Sequence, residues 1–336
     1  MTHDDPMVFA PQWDRSLGER VCTHLHQALA ALEEREFEDG EHKIRPLVGV
    51  RDRDVYVLSS LQAGEHHGVD AKLCRMLFLL GALRDAGAAR ITAVVPYLCY
   101  ARKDRRTKPR DPVTTRYVAC LFEAVGIDRL VTVDVHNLVA FQNASRVPTE
   151  HLEARWLLAR HLVPRVRQHD LVVVSPDIGG VKRAVRFRES LEHLLERPIG
   201  SGFVEKHRSA GRVSGGALVG SVRGRVVILV DDLVSSGTTL VRAARACHDA
   251  GATDVHAVAT HGLFVGDASR VLDVDVLTSL TVTDTVPPFR LETHALSLEV
   301  DVLEVAPLLA ESIRRLHVGG SIVELVEREL QIQSRA

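Results

Sequence analysis

The segment from residue 226 to residue 250 constrains the fold of this 336-residue chain more than any other. Residues 226–230 are five consecutive apolar residues, typical of a strand buried on both faces in a parallel sheet. Asp231 and Asp232 come next, followed by a run of small polar residues and a helical pattern that ends near residue 250. A strand, a polar turn and a helix in this order predict an α/β unit.

The polar residues after this strand are suited to a phosphorylated sugar. A loop of hydroxyls and glycine at a helix N-terminus offers backbone N–H groups and a positive dipole end to a phosphate. Asp231 and Asp232 suit vicinal sugar hydroxyls, because one carboxylate accepts two O–H donors. Each part alone also fits an ordinary βα turn with a capped helix, but the combination favours a ribose 5-phosphate site. The candidate phosphate ligands are Ser235, Ser236, Gly237, Thr238 and Thr239.

Composition excludes several classes of protein. The net charge of −2 gives no reason to expect a nucleic acid or a membrane, and 4% aromatic residues are too few for a base-stacking platform. The five cysteines are scattered and form no Cys-x-x-Cys pair, which argues against a disulfide framework and a zinc site. The chain lacks an apolar run of 18 residues and a signal-peptide core, so we expect a cytoplasmic protein.

Strand-like and helix-like segments alternate along the chain. Strands are predicted at residues 55–58, 91–95, 130–135, 171–175, 226–230, 255–259 and 274–277. Helices are predicted at residues 17–36, 71–86, 114–125, 152–166, 182–196 and 239–250. Gly87, Gly126 and Gly251 follow three of these helices, as C-terminal glycine caps do. The alternation predicts mostly parallel sheets with helices on both faces.

The two halves of the chain are similar to each other. Residues 82–95 align with residues 246–259, and residues 50–60 align with residues 222–232 after one gap. Because the separation is close to half the chain, we expect two duplicated α/β domains. We place them at residues 1–150 and 151–305, followed by a helical segment at 306–336 that packs back on the first domain. Ser59 and Ser60 then stand where the second half has Asp231 and Asp232, which leaves one sugar site per chain.

A basic run follows the strand predicted at residues 91–95. Residues 102–110 contain six cations, beginning with Arg102 and Lys103. Most such runs are solvated surface, but this one is expected at the carboxyl edge of a parallel sheet, where ligands bind. We interpret it as a clamp for a polyphosphate. The chain has no G-x-x-x-x-G-K-[ST] segment and no helix-opening G-x-G-x-x-G, so ATP would be held without a P-loop and a dinucleotide oxidoreductase is disfavoured.

Three other segments carry side chains typical of phosphate chemistry. His136 ends a predicted strand, a position where a lone histidine is more often structural. Asp177 precedes Gly-Gly and a predicted helix, which makes a second possible anion loop with a carboxylate able to bind a metal. Lys206 and Arg208 precede the glycine-rich residues 209–220, where they would either fold over a reacting phosphate or lie in an ordinary loop.

In these segments the chain resembles the ribose-phosphate diphosphokinases, or phosphoribosyl pyrophosphate (PRPP) synthetases, over nearly its whole length. The ribose loop alone is shared with PRPP-dependent phosphoribosyltransferases, whereas the ordered set of blocks is specific to the family. The resemblance implies two phosphoribosyltransferase-like domains, each a mostly parallel sheet with helices on both faces. The matching blocks are residues 37–41, 90–102, 133–136, 175–183, 206–208, 230–239 and 283–285.

The resemblance also implies the reaction and its participants. The family uses Mg²⁺ and transfers the diphosphoryl group of ATP to the C1 hydroxyl of ribose 5-phosphate, giving PRPP and AMP. It implies a homodimer or larger homo-oligomer that shares the ATP site between subunits, with neither nucleic acid nor membrane as a partner. The implied ATP ligands are Phe37, Asp39, Glu41, Arg102, Lys103 and His136, the first three reaching the neighbouring subunit.

The remaining implied roles concern the metal, the sugar and the transfer itself. His136 and Asp177 are the implied ligands of Mg²⁺. Lys206 and Arg208, with His136, are the implied catalytic side chains, the first two coming from a loop that neutralises the transferred group. The implied ligands of ribose 5-phosphate are Asp177, Asp231, Asp232, Ser235, Ser236, Gly237, Thr238 and Thr239.

Two residues depart from the common pattern of the family, and two other functions compete. Lys103 stands where glutamine is usual, and Ser235 stands where an acid is usual. A phosphoribosyltransferase that consumes PRPP would share the ribose loop but would not need residues 37–41 or 102–110. A catalytically weak regulatory homologue of a PRPP synthetase is the second alternative, and the presence of Lys206 and Arg208 argues against it.

Overall fold

The chain divides into two compact units, each with its own sheet. The first unit comprises Met1–Glu153 and Val305–Ala336, and the second comprises Ala154–Glu304. The computed structural model describes residues 5–209, 212–292 and 296–327, with the side chains of residues 206–209 and 212–216 outside that description. Within the described ranges, no helix combines the length and the apolar character needed to cross a membrane.

The first unit is built on a five-stranded parallel sheet in the order β1-β4-β5-β6-β7. Strands β2 and β3 form a separate antiparallel hairpin. In chain order the elements are β1 (Met7–Phe9), α1 (Arg15–His24), β2 (Leu32–Glu36), β3 (His42–Pro46), β4 (Asp54–Leu58), α2 (Val69–Asp85), β5 (Arg90–Val95), α3 (Thr114–Ala124), β6 (Arg129–Val133), α4 (Leu138–Ala144) and β7 (Thr149–Leu152).

The second unit is built on a seven-stranded sheet. Its elements are α5 (Arg155–Val166), β8 (Leu171–Ser175), α6 (Val181–Leu195), β9 (Gly200–Ser209), β10 (Arg212–Val219), β11 (Val226–Val234), α7 (Thr238–Asp249), β12 (Asp254–Gly262), α8 (Ala268–Leu272), β13 (Ser279–Thr283) and β14 (Glu299–Leu303). The strand order is β10-β9-β8-β11-β12-β13-β14, and only the β9–β10 pair is antiparallel.

The last two described helices, α9 (Ala306–Val318) and α10 (Ile322–Glu327), belong to the first unit. Helix α9 packs against α1. Its last turn is fixed by His317, whose Nδ1 lies 2.7 Å from Oδ2 of Asp54 at the start of β4. Arg90 donates to the same carboxylate and also to the backbone carbonyl of Leu316, so β4, β5 and α9 are joined at one point.

The two sheets repeat one topology, which confirms the predicted duplication and the α/β fold class. Strands β1, β4, β5, β6 and β7 follow one another in space as β8, β11, β12, β13 and β14 do. In each unit an antiparallel hairpin, β2–β3 or β9–β10, lies in the chain between the helix that follows the first strand of this parallel set, α1 or α6, and the second strand of the set. The central strands are apolar and buried, as the residues of β11 from Val226 to Val230 are, because both faces of the sheet are covered.

Two predicted elements were wrong. The helix predicted at residues 17–36 ends at His24, because His26 adopts a left-handed backbone with φ of 57°. Residues 32–36 form β2 instead, and Ile44 of its partner strand is buried against the core of the first unit. The strand predicted at residues 274–277 is a turn closed by a hydrogen bond from the N–H of Leu277 to the carbonyl of Val274, and β13 begins two residues later.

Candidate active site

Asp231 and Asp232 lie in the part of β11 that extends beyond its pairing with β8. The last β8 pair joins Leu229 to Val174, whereas the pairing with β12 continues to Val234. The predicted strand at residues 226–230 is therefore four residues longer in the structure, and both acids are inside it. Because β8 has ended, one side of this segment is open at the carboxyl edge of the sheet, where α/β proteins bind ligands.

One guanidinium group contacts both acids. Nη1 of Arg183 lies 3.2 Å from Oδ1 of Asp232 and 3.5 Å from Oδ1 of Asp231. Burial and the neighbouring Asp232 carboxylate raise the pKa of Asp231, and the positive charge of Arg183 opposes that rise. The sequence reasoning did not select Arg183. Its signal was its position in the first turn of the helix that follows the strand adjacent to β11.

The loop after β11 has the geometry of a phosphate-binding turn. Gly237 has a φ of +79°, and a Cβ at this position would lie 2.8 Å from the side chain of Leu272, so only glycine fits. Helix α7 begins immediately afterwards at Thr238, and the first N–H groups of a helix lack intrahelical acceptors. The hydroxyls of Ser236 and Thr238 lie 3.0 Å apart beside these N–H groups. Ser235 and Thr239 flank this turn on either side.

Asp177 lies in the turn that follows β8, the strand next to β11. Its Oδ1 accepts the backbone N–H of Gly180 at 3.1 Å, and its carbonyl accepts the hydroxyl of Ser175 at 2.6 Å. These bonds fix the carboxylate at the same edge of the second sheet as the Asp231–Asp232 pair. The second unit thus brings together three of the predicted acids.

Lys206 and Arg208 lie on β9, with their side chains outside the described part of the chain. Their backbones pair with Gly216 and Val213 of β10. Within the glycine-rich segment that the sequence suggested as a loop, Arg212–Val219 forms β10 and pairs antiparallel with β9, with an irregularity between Val213 and Gly216. Strand β9 also pairs with β8, so the hairpin continues the sheet that carries Asp177.

In the first unit, Arg102, Lys103 and His136 follow neighbouring strands. Arg102 and Lys103 lie in the loop after β5, and His136 lies three residues beyond β6. The two segments are joined by a hydrogen bond from Nδ2 of Asn137 to a carboxylate oxygen of Asp104. His136 and Arg102 are exposed, as a site open to a large ligand requires.

Lys103 is engaged inside the basic loop. Its ammonium group donates to Oδ2 of Asp111 at 2.5 Å and to the hydroxyl of Thr107 at 3.0 Å. The same oxygen of Asp111 accepts the backbone N–H groups of Thr107 and Lys108. These donors hold the pKa of the Asp111 carboxyl well below its ordinary range. Arg102, Arg105, Arg106, Lys108 and Arg110 are the exposed cations of the loop.

Phe37, Asp39 and Glu41 form the tip of the β2–β3 hairpin. The N–H of Phe37 donates to the carbonyl of Glu41 at 2.7 Å, and Oδ1 of Asp39 accepts the N–H of Glu41 at 3.0 Å. Gly40 turns the chain with a φ of 87°. Phe37 is 39% exposed, and the guanidinium carbon of Arg35 lies 5.0 Å from the centroid of its ring. This segment is thus an ordered hairpin tip presenting one aromatic ring, rather than a turn that directly follows a helix.

Asp177 offers a carboxylate of the kind that binds Mg²⁺ together with a nucleotide. Among the residues that the structure describes, no three His, Cys, Asp or Glu side chains form a cluster able to hold a metal. His136 and Asp177 provide one imidazole and one carboxylate, each at the carboxyl edge of its own sheet. Mg²⁺ is commonly held by one or two carboxylates, with phosphate and water oxygens completing its shell, so Asp177 fits this ion and the imidazole of His136 is an unusual ligand for it.

Comparisons with known proteins give a consistent family. Residues 6–126 match the model of the N-terminal domain of ribose phosphate pyrophosphokinase, and residues 211–327 match that of the phosphoribosyl synthetase-associated domain. The ribose-phosphate pyrophosphokinase of Caldanaerobacter subterraneus is 37% identical over 95% of this chain and 96% of its own length. That of Rhodopirellula baltica is 36% identical over 95% and 97%. The crystal structure of phosphoribosylpyrophosphate synthetase from Mycobacterium smegmatis has a TM-score of 0.84 and 32% identity, covering 94% of this chain and all of that one.

Proposed function

This chain belongs to the ribose-phosphate pyrophosphokinase family, and we propose that it transfers the diphosphoryl group of ATP, with Mg²⁺, to the C1 hydroxyl of ribose 5-phosphate. The products are PRPP and AMP. The observation that carries the proposal is the position of Asp231 and Asp232 beside the Gly237 turn at one sheet edge. Two carboxylates that accept vicinal hydroxyls, next to a turn that binds a phosphate, fit a sugar that carries both hydroxyls and a phosphate.

For ribose 5-phosphate, we propose that Asp231 and Asp232 accept the ring hydroxyls. The phosphate is held by the backbone N–H groups at the start of α7 and by the hydroxyls of the loop. Asp177 lies at the same edge and borders the sugar. The loop residues in this role are Ser235, Ser236, Gly237, Thr238 and Thr239.

For ATP, the exposed cations after β5 supply the charge that a triphosphate needs. Arg102 is the first of these cations, and Lys103 acts from within the loop through Asp111. His136 follows β6, the strand next to β5, and is the third ATP ligand that we propose in this unit. We assign the adenine contacts to the hairpin tip of a neighbouring subunit, where Phe37 offers a ring and Asp39 and Glu41 offer acceptors. The active protein is then at least a homodimer.

For the transfer, the residues of the chain position the substrates and neutralise charge. His136 and Asp177 are the residues that we propose as ligands of Mg²⁺, and the bound ion would supply positive charge to the phosphate oxygens. Lys206 and Arg208 place two further cations near the group in transfer, where fixed charges act most strongly if water is excluded. Both residues lie on β9, which pairs with β8, the strand that Asp177 follows.

The reducing interior of a cell is the location that we propose. All five cysteines are unpaired, and three of them are buried. A protein of an oxidising compartment would more often pair such residues.

Product analysis tests the proposed function. We expect the protein with ATP, Mg²⁺ and ribose 5-phosphate to form AMP and PRPP in equal amounts, measured by ion-exchange chromatography. Label at the β-phosphate of ATP should appear in PRPP. Formation of ADP in place of AMP would identify a monophosphoryl transfer. Consumption of PRPP with a free purine or pyrimidine base, giving a nucleoside monophosphate and pyrophosphate, would instead identify a phosphoribosyltransferase. Absence of both reactions would favour a regulatory homologue.

A further inference from the structure

Arg183 contacts two adjacent carboxylates, and the proposed function gives this residue no role. Asp231 and Asp232 are consecutive residues of a strand, so their side chains leave the backbone on opposite faces. Nη1 of Arg183 nevertheless lies within 3.5 Å of an oxygen of each. We propose that Arg183 is a positioning residue of the ribose 5-phosphate site, which holds both carboxylates as aligned hydroxyl acceptors. This inference rests on the proposed function.

Electrostatics explains why a cation is needed there. Asp232 is 3% exposed, and two adjacent carboxylates in a poorly solvated place repel each other. Arginine stays protonated under all ordinary conditions and offers donors in a rigid plane. A single guanidinium can therefore bridge the two acids and keep their remaining oxygens directed at a ligand.

The turn before α6 is closely packed against Ser175 and brings Arg183 next to it. A Cβ on Gly180 would lie 2.6 Å from the hydroxyl of Ser175 and 3.5 Å from Nη1 of Arg183. Ser175 in turn donates to the carbonyl of Asp177, which fixes the turn. Farther along the helix, Ala184 and Phe187 are buried and anchor α6 against the sheet. The position of Arg183 is thus set by the packing of α6 and by the fixed turn that precedes this helix.

The bridge predicts a specific effect on sugar selection. A site built to accept hydroxyl protons discriminates against an analogue that lacks a hydroxyl, because its acceptors are then left unpaired. If Arg183 aligns the acceptors, its loss should weaken the binding of ribose 5-phosphate more than that of 2-deoxyribose 5-phosphate. General damage to the fold would weaken both ligands alike.

The test compares Arg183→Gln, Arg183→Lys and Arg188→Gln. Arg188 is on the same helix and lies 3.6 Å from Glu192, away from the acid pair, so it is the matched control. For Arg183→Gln we expect the Kd of ribose 5-phosphate, measured by calorimetry, to rise roughly 10- to 100-fold. The ratio of the 2-deoxyribose 5-phosphate Kd to the ribose 5-phosphate Kd should fall toward one. Arg183→Lys should recover part of both effects, and Arg188→Gln should match the wild type.

Two outcomes would overturn the inference. One is an unchanged discrimination ratio in Arg183→Gln, whether or not affinity falls. The other is an equal effect in Arg188→Gln, which would indicate a property of the helix as a whole. Circular dichroism and thermal melting of each variant separate these results from unfolding. If Arg183→Gln does not fold, Arg183→Lys alone tests the inference. Lysine keeps the charge but changes the geometry, so the ratio of the two Kd values must still change. If the wild type binds ribose 5-phosphate but forms no PRPP, the proposed reaction fails and the assignment of Arg183 stands.

Discussion

The backbone N–H of Ser60 donates to Oδ2 of Asp14 at 2.7 Å. The hydroxyl of Ser59 donates to the same oxygen at 3.0 Å and accepts from the indole of Trp13. Ser59 and Ser60 follow β4, the strand that corresponds to β11 of the second unit. Where the second unit has Asp231 and Asp232, which we propose as ligands of the sugar, the first has two serines bonded to the carboxylate of Asp14. This difference supports one sugar site per chain.

Asp14 should make stability depend on pH. Burial raises the pKa of its carboxyl to about 6 from an ordinary 3.8, against the opposing charge of Lys72. A raised pKa means that the folded state binds more protons, so the contribution is full below 3.8 and is lost as the pH rises through 6. Relative to Asp14→Asn, the wild type should lose about 1 kcal/mol of unfolding free energy between pH 5 and pH 7.

Urea unfolding at several pH values measures this difference. In a Trp156→Phe background, Trp13 is the only tryptophan and reports on the first unit. A difference between the two proteins that stays constant from pH 5 to pH 7 would show that Asp14 keeps an ordinary pKa.

The sequence predicted those parts of the fold whose signal is local. The helix predicted at residues 71–86 is α2, Val69–Asp85, and the strand predicted at 171–175 is β8. The hairpin strand β2 was missed because Leu32–Glu36 is rich in residues that favour helices. Its strand form depends on partners across the hairpin, such as Lys43, whose ammonium lies 3.0 Å from a carboxylate oxygen of Glu33.

The candidate site also contains residues that the sequence predicted and contacts that it did not. Acids at the carboxyl end of a buried strand could be recognised from the order of residues alone, as Asp231 and Asp232 were. The contact of Arg183 with Asp231 spans 48 residues and depends on β8 and β11 being neighbours, which sequence periodicity does not specify. The charge pattern predicted a cluster of cations around Lys103. It did not predict that Lys103 would form an ion pair with Asp111.

Asp232→Asn should weaken the use of ribose 5-phosphate. The amide keeps the shape of the side chain but loses charge-assisted hydrogen bonds worth roughly 1.5–3 kcal/mol, so the KM for ribose 5-phosphate should rise by about one to two orders of magnitude. The KM for ATP should change little. Steady-state kinetics with each substrate varied in turn measures both. Asp273→Asn is the control, because Asp273 accepts from Ser297 on the surface of the same unit. Wild-type kinetics in Asp232→Asn would remove the acid pair from the sugar site.

Lys103 and Asp111 should act on ATP as a pair. If Lys103 braces the basic loop, Lys103→Met and Asp111→Asn should each raise the KM for ATP by about three- to tenfold, because both release the loop that carries Arg102. The KM for ATP of the double variant should not exceed the higher KM of the two single variants, as expected for residues in one network. If Lys103 instead contacts ATP directly, Lys103→Met alone should impair binding, and Asp111→Asn should leave it intact or improve it.

Lys206→Ala and Arg208→Ala should lower turnover much more than substrate affinity. Charges that act on a group in transfer stabilise the transition state, so kcat should fall while both KM values stay within a few-fold of the wild type. Arg223→Ala is the matched control, because Arg223 is an exposed cation in the turn that follows the same hairpin. Near-normal kcat in both variants would indicate that the hairpin is only a structural extension of the sheet, and the regulatory alternative would gain support.

The tip of the β2–β3 hairpin should work in a neighbouring subunit. Its backbone is ordered by the hydrogen bond from Phe37 to Glu41, and Phe37 is 39% exposed with the guanidinium of Arg35 5.0 Å from its ring centroid, an aromatic and cationic surface on which a ligand outside its own unit can stack. We therefore expect a chain carrying Phe37→Ala with Glu41→Ala to be inactive alone, and a chain carrying Lys206→Ala with Asp232→Asn to be inactive as well.

Mixing the two inactive chains distinguishes a shared site from a site within one chain. In a mixed dimer with shared sites, one site takes an intact hairpin tip from the second chain and intact Lys206 and Asp232 from the first, so it contains only wild-type parts. Random exchange places half of the chains in mixed dimers, and each mixed dimer has one intact site in two, so about a quarter of wild-type activity should return. Differently tagged chains verify the exchange by co-purification. If the tip acted within its own chain, every site would keep a defect and no activity would return despite complete exchange.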